Sequence, residues 1–176
     1  MNFYINTFNE FYIICNIHID KIKYINKKFT KLIPIQWQIV LINEGSFTQI
    51  KSYFTNKISH IKFINKKLNL SKRYIRCIWL LDTIYTKTIF ARSIWLIMHH
   101  ITLKVNREIQ PIGISFINKE IDIYKNIHEI YYVYSKNLEN NHKLNTIFWG
   151  RKYTLNYRKK SYTIIQEFFS SNLLIS

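Results

Sequence analysis

Two β-strands are the clearest elements predicted by the alternation of apolar and polar residues along the chain. The first is Arg73–Leu81 (RYIRCIWLL), where a period of two leaves both faces largely apolar. The second is Thr88–Ile97, which contains the sequence FARS at Phe90–Ser93. Strands that are apolar on both faces are typical of a sheet covered on each side. We therefore expect the stretch Arg73–Ser93 to form two paired strands around which the rest of the chain is organised.

Arg76 is the one charged residue in an apolar row of the first strand, the row that it shares with Tyr74, Ile78 and Leu80. Burying a guanidinium without a partner costs free energy. The pattern therefore leaves three interpretations open: a structural ion pair, an edge arginine whose head reaches solvent, or an anion-binding arginine at the floor of a pocket.

Two helices are predicted upstream of this pair of strands. Pro34 opens the first, which has Trp37, Val40 and Leu41 at helical spacing, although the unbroken apolar run to Ile42 also fits a strand.

The second helix follows the segment Asn43–Thr48 (NEGSFT), where Gly45 supplies a corner and Ser46 is a good N-cap. Its first turn contains the backbone N–H of Phe47, a position that favours an anion. An ordinary capped helix fits the same pattern.

The remaining pattern predicts strands, one further helix and polar connections. The predicted strands are Ile58–Phe63, Ile121–Tyr134 with a bulge, and a final hairpin of Phe148–Tyr157 and Ser161–Phe169. The other predicted elements are a polar connection at Lys66–Lys72, a short helix at Ile101–Ile109, a tight turn at Gln110–Gly113 (QPIG) and a polar loop at Glu139–Asn145.

Glu167 is a second charged residue in apolar surroundings, between Ile164–Ile165 and Phe168–Phe169. The chain has only ten carboxylate side chains. Partial burial would raise the pKa of this carboxyl group and make it useful as an acid. An exposed glutamate on an edge strand is the alternative.

Composition limits the classes of function. A chain of 176 residues fits a single domain, and its uncharged runs are too short to span a bilayer. Cys15 and Cys77 are expected to be buried thiols, and the six histidines lack the spacing of metal ligands, so we expect no metal site. The net charge of +16 suggests nucleic acid, but the basic residues are spread along the whole chain. The bias towards Ile, Asn, Lys and Tyr also follows from an A/T-rich genome such as that of an organelle.

The chain resembles the chorismate lyase family, and in particular its plastid-encoded branch, from Pro34 to about Phe169. The resemblance rests on sequences that occur in the family's order and approximate spacing: Trp37–Thr48 (WQIVLINEGSFT), Arg73–Leu81, FARS, QPIG, Phe148–Tyr153 (FWGRKY) and Ile164–Phe169 (IIQEFF). It implies an α+β fold of one domain, a mainly antiparallel sheet with helices and flap-like segments covering an internal ligand pocket. Residues 1–33 would be an N-terminal extension and residues 34–176 the lyase-like domain.

The family's enzymes convert chorismate, a dianion, to 4-hydroxybenzoate and pyruvate without a cofactor. Carried over position by position, the family's ligand-contacting residues fall on Phe47, Arg76, Ile112 and Glu167, with Arg76 and Glu167 as the catalytic pair. At Phe47 and Ile112 the bacterial enzymes tend to have other apolar side chains, so backbone N–H groups are the expected ligand contacts there. Secondary candidates are Arg92 and Arg151, in FARS and FWGRKY.

The resemblance also implies a plastid protein, which we expect to be a monomer without a specific nucleic-acid partner or a membrane span. Two alternatives remain open at this stage. A domain of the same fold could bind a small aromatic acid as a sensor without converting it. A basic RNA-associated protein would instead leave Arg76 and Glu167 unrelated in space.

Overall fold

The computed structural model describes residues 11–19, 31–55, 59–68, 73–81, 87–96, 111–135, 146–157, 160–170 and 173. These residues contain seven strands: β1 (Tyr12–His18), β2 (His60–Leu68), β3 (Arg73–Leu81), β4 (Lys87–Leu96), β5 (Tyr124–Ser135), β6 (Thr146–Tyr157) and β7 (Lys160–Ser170). The helices are α1 (Ile35–Ile42), α2 (Phe47–Thr55) and α3 (Ile112–Ile117). The strands form one antiparallel sheet in the order β1-β5-β6-β7-β4-β3-β2. The coarse prediction of an α+β fold with a mainly antiparallel sheet is confirmed.

Helices α1, α2 and α3 lie on one face of the sheet, which we call the cavity face. On this face, α1 packs through Trp37, Val40 and Leu41 against Ile78 of β3 and its apolar neighbours, and α3 packs through Phe116 against the residues around Trp95. The opposite face carries a separate aromatic layer of Phe11, Trp79, Phe90, Phe148 and Phe168. The two apolar faces predicted for Arg73–Leu81 are therefore both covered.

Local sequence signals placed the first two helices correctly. Pro34 immediately precedes α1, and its carbonyl accepts the backbone N–H groups of Trp37 and Gln38 at 2.9 and 3.1 Å. The alternative of a strand in this segment is wrong. Ser46 caps α2, because its hydroxyl oxygen accepts the Gln49 backbone N–H at 3.4 Å.

The long strands also agree with the pattern, including the bulge in β5, where the register with β6 shifts between Ile127 and Glu129. Two local predictions are wrong. The QPIG turn is the start of α3, for which Pro111 is the N-cap residue. The predicted polar connection begins too early, since Lys66–Leu68 continue β2.

Two predicted elements lie outside the described residues, the helix at Ile101–Ile109 and the loop at Glu139–Asn145. The predicted N-terminal extension contains β1, which pairs with β5 at the edge of the sheet. Phe11, just before β1, stacks on Phe168 with ring centroids 4.7 Å apart. The division of the chain at residue 33 stays a prediction. None of the helices in the described part of the chain combines the length and the hydropathy that a membrane span needs.

Candidate functional site

A cavity of about 380 Å³ lies on the cavity face of the sheet, between the strands and the beginnings of α2 and α3. Its volume falls in the range of roughly 300–1,000 Å³ that is usual for small-molecule sites. The structure brings together in its lining the four residues that the family resemblance singled out, Phe47, Arg76, Ile112 and Glu167. They come from four different elements, so only the folded chain makes them neighbours.

Arg76 lies on β3, an interior strand of the sheet, and the residue is 1% exposed. The interpretation as an edge arginine that reaches solvent is therefore wrong. The cross-strand partner on β4 is Ser93, which also lines the cavity. Because directly paired residues of antiparallel strands point to the same side, these two polar side chains share the cavity face.

Glu167 lies on β7, between β6 and β4, so the alternative of an edge-strand glutamate is wrong as well. Its register partner on β6 is Arg151, whose side chain is fully buried. Arg151 Nε donates to Glu167 Oε2 at 2.8 Å, and Nη2 lies 2.8 Å from the same oxygen as an ion pair. The hydroxyl of Tyr153, two residues further along β6, donates to Oε1 at 2.8 Å. Both oxygens of the carboxylate are thus held by donors within the protein.

These contacts reverse the expected ionisation of Glu167. Burial by itself raises the pKa of the carboxyl group, as the sequence analysis assumed. The positive charges of Arg151 and Lys125 and the hydrogen bond from Tyr153 outweigh burial, so the pKa lies below its usual value. Glu167 is therefore ionised at neutral pH, and the expectation of a carboxylic acid ready to donate a proton is wrong.

Arg151 also ties the sheet to the C-terminal end of α1. Its Nη1 donates to the carbonyl oxygens of Val40 at 2.8 Å and Asn43 at 2.9 Å. The last carbonyls of a helix have no partner inside that helix, and a buried cation satisfies them. One guanidinium thus fixes both Glu167 and the segment that leads from α1 into α2.

Lys125 is a lining residue that the sequence analysis did not single out. Its ammonium donates to the carbonyl oxygen of Gly45 at 2.7 Å and to that of Asn43 at 3.4 Å. It also lies 4.7 Å from the centre of the Tyr153 ring. Burial lowers the pKa of Lys125 to about 8, helped by the nearby charge of Arg151 and opposed by Glu167 and Glu44.

Phe47 and Ile112 are the first residues of α2 and α3. The two helix starts touch at Gly113, where an added Cβ would meet Ser46 Oγ at 2.5 Å and Ser46 Cβ at 3.0 Å. Glycine is therefore required at this position for α2 and α3 to approach so closely. The Phe47 ring packs edge-on against Phe169, with the centroids 5.1 Å apart.

Of the two secondary candidates, Arg92 does not line the cavity. It is paired in register with Cys77 and Gln166, whose side chains lie on the opposite face. Arg151 holds Glu167, which lines the cavity, and binds the carbonyl oxygens at the end of α1. No group of three His, Cys, Asp or Glu residues that could hold a metal ion occurs in the described part of the chain.

The sequence itself carries a signal that marks Arg151. In the period-two row of Trp149, Arg151, Tyr153 and Leu155 it is the only charge, and the same anomaly singled out Arg76. Lys125 has the same kind of position on β5, but in a chain with 26 Lys and Arg residues a single lysine does not stand out.

Comparison with known proteins gives one family. A model of the family described as Chorismate pyruvate-lyase Rv2949c-like matches residues 41–175. The protein named uncharacterized protein ycf21 from Antithamnion sp. is 38% identical over 159 residues, which are 84% of this chain and 85% of the relative. The ycf21 protein of Porphyra purpurea is 38% identical over 144 residues, 78% of this chain and 82% of its own length. That of Cyanophora paradoxa is 28% identical over 153 residues, 79% of each chain.

These relatives also indicate the organelle from which the protein comes. The ycf21 gene is plastid-encoded in red algae and in Cyanophora, so the predicted plastid origin is confirmed. The resemblance that rested on short ordered motifs is confirmed by the match over 41–175. The chain belongs to the Rv2949c-like chorismate pyruvate-lyase family.

Proposed function

We propose that this protein is a cofactor-independent lyase that converts chorismate to 4-hydroxybenzoate and pyruvate. The observation that carries the proposal is the cavity of about 380 Å³ lined by both Arg76 and Glu167, in a member of a chorismate pyruvate-lyase-like family. The internal ligand pocket and its flap-like cover are part of this proposal. The contact between α2 and α3 beside the cavity supports such a cover.

The reaction requires little chemical equipment. The bond between the ring carbon and the ether oxygen breaks, so that the oxygen leaves with the enolpyruvyl group. The adjacent ring carbon, which bears the hydroxyl, loses its hydrogen as a proton, and the ring becomes aromatic. The enolpyruvate takes up a proton on its methylene carbon and becomes pyruvate. Aromatisation supplies the thermodynamic drive, so the protein has to orient the ring and stabilise charge on the departing oxygen.

Each residue then has a role consistent with its ionisation. Arg76 binds a carboxylate or the leaving oxygen with its guanidinium. Glu167 acts as a fixed acceptor for the ring hydroxyl, because its pKa is low and Oε1 has a second acceptor position beside the bond from Tyr153. The backbone N–H groups of Phe47 and Ile112 bind the second carboxylate.

Chorismate turnover by wild type and Arg76 variants tests the proposal. Losing one preorganised charge contact costs about 2.7–4 kcal/mol, so Arg76→Ala should release pyruvate ~10²–10³ times more slowly. Arg76→Lys should recover only part of the loss, because an ammonium cannot bind with two parallel hydrogen bonds. Arg92→Ala on the opposite face is the matched control and should retain activity.

A sensor domain is the second candidate, and the low pKa of Glu167 favours it. A sensor needs an anion anchor but no group that donates a proton. Wild-type protein that binds 4-hydroxybenzoate yet releases no pyruvate from chorismate would defeat the lyase and leave the sensor standing.

The third candidate, a basic RNA-associated protein, has less support. An RNA-associated protein would leave Arg76 and Glu167 unrelated in space, whereas both residues line one cavity. We expect 4-hydroxybenzoate to bind better than RNA at moderate salt, and any RNA affinity to fall steeply as salt rises. Sequence-specific RNA binding that survives high salt would overturn this order.

A further inference from the structure

Lys125 occupies a position suited to bind a ligand. It is paired in register with Leu155 of β6, and both residues line the cavity, although Lys125 is only 8% exposed. An ammonium has three N–H donors. The bonds to the carbonyl oxygens of Gly45 and Asn43 use two of them. Neither carbonyl takes up the third donor, and the residue that carries it lines the cavity.

The charges around the cavity favour an anion with two negative groups. Glu167 lines the cavity, but its charge is offset by the buried Arg151 at 2.8 Å. Two further lining acids, Glu44 and Asp122, are exposed, where solvent and salt screen their charges. Among the described lining residues, the buried cations are Arg76 and Lys125.

We propose that Lys125 is a ligand-binding residue, whose ammonium binds one carboxylate of a dicarboxylate while Arg76 binds the other charged group. Gly45 lies two residues before Phe47, so the ammonium that holds its carbonyl also positions the backbone N–H of Phe47 beside the same carboxylate. Lys125 thereby sets the preference of the cavity for a doubly charged acid. This inference rests on the proposed chorismate-binding function and adds a residue to it.

The pH dependence of chorismate recognition tests this role, because a lysine that only held the loop would not produce it. The groups that face Lys125 are Glu44, Arg151, Tyr153 and Glu167. With the pKa of Lys125 at about 8, the fraction of free protein in which Lys125 is charged falls about tenfold between pH 7 and pH 9. Both carboxylates of chorismate stay ionised over this range.

The quantity to measure is kcat/KM for pyruvate release or, if the protein does not turn chorismate over, its Kd by calorimetry. The pH dependence of either quantity reflects the ionisation of groups in the protein before chorismate binds. Wild type should lose about fivefold between pH 7 and pH 9, because the neutral form still binds with about a tenth of the strength of the charged form. Lys125→Met should be about tenfold weaker than wild type at pH 7 and independent of pH over this range. Lys125→Arg, which stays charged, should keep most of the affinity and also lose the pH dependence.

The matched control is Lys152→Met, since Lys152 lies on the opposite face and pairs with Glu129 at 2.8 Å. It should behave as wild type, and thermal unfolding at pH 7 checks that every variant is folded. If Lys125→Met does not fold, the loss of pH dependence in Lys125→Arg decides the question.

The outcomes separate this inference from the proposed function. A Lys125→Met protein with wild-type affinity, or a pH dependence that persists in either Lys125 variant, overturns the inference and leaves the lyase intact. Binding of chorismate without pyruvate release, with the expected effects of the Lys125 variants, overturns the lyase and supports the inference. A wild-type protein that neither binds nor converts chorismate refutes both.

Discussion

Removing the guanidinium of Arg151 should destabilise the protein more than removing any charge from its surface. The side chain is fully buried and donates to Glu167, Val40 and Asn43. Arg151→Met keeps much of the apolar stem but leaves the Tyr153 hydroxyl as the one remaining donor to the Glu167 carboxylate among the described residues. Breaking a buried ion pair on one side typically costs about 3–5 kcal/mol. For a chain of this size, that corresponds to a fall in Tm of roughly 6–20 °C.

Urea unfolding followed by tryptophan fluorescence measures the free energy of unfolding, and Lys152→Met on the opposite face is the control. Lys152 forms a salt bridge of the same 2.8 Å length with Glu129, but the two side chains are 21% and 13% exposed. Its loss should cost about 1 kcal/mol or less. The double variant Arg151→Met with Glu167→Met removes both charges, so it should be more stable than Arg151→Met alone.

The effect of Arg151→Met should also depend on pH. In wild type the pKa of Glu167 lies below its unfolded value, so the ionised carboxylate adds stability above the unfolded pKa. This contribution disappears as pH falls through the folded pKa. The difference between wild type and Arg151→Met should therefore be largest near neutral pH and shrink in acid. Equal destabilisation by Arg151→Met and Lys152→Met, or a double variant no better than the single one, would refute the reasoning.

Three further predictions concern the walls of the cavity. Gly113→Ala should push the starts of α2 and α3 apart, because its Cβ would meet Ser46 Oγ at 2.5 Å. Urea unfolding should show a loss of about 1–3 kcal/mol in the free energy of unfolding. The control Gly45→Ala, whose Cβ would meet Asn43 Oδ1 at 3.3 Å, should lose less than about 1 kcal/mol. Equal losses would contradict the close packing of α2 and α3. Tyr153→Phe removes the donor to Glu167 Oε1, should cost about 1.5–3 kcal/mol in the same assay, and should raise the pKa of the Glu167 carboxyl in an NMR titration. An unchanged carboxyl pKa would show that this hydrogen bond does not help to keep Glu167 ionised. Glu167→Gln leaves the Arg151 cation buried beside a neutral side chain, so calorimetry should show a lower Tm together with weaker 4-hydroxybenzoate binding, and a Tm equal to that of wild type would contradict the pairing.

Elements that depend only on neighbouring residues could be predicted from the sequence. A proline precedes α1, a serine caps α2, and alternating rows form β3, β6 and β7. Each of these signals acts within a few residues, so its effect can be predicted from the local sequence. Charged residues in apolar rows marked Arg76 and Glu167 for the same reason, since burying a charge is costly wherever the strand ends up. The ordered motifs were sufficient to identify the family.

The roles of those charges depend on the folded sheet. Arg151 and Glu167 face each other within the predicted hairpin of β6 and β7, but their pairing depends on a register that shifts between Leu155 and Asn156, which the pattern did not predict. That pairing reversed the expected pKa shift of Glu167, because a nearby positive charge outweighs burial. Lys125 reaches the cavity for the same reason, through the bulged pairing of β5 with β6 and its bonds to Asn43 and Gly45. A residue's burial can be predicted from its own strand, but its ionisation depends on partners that only the assembled sheet supplies.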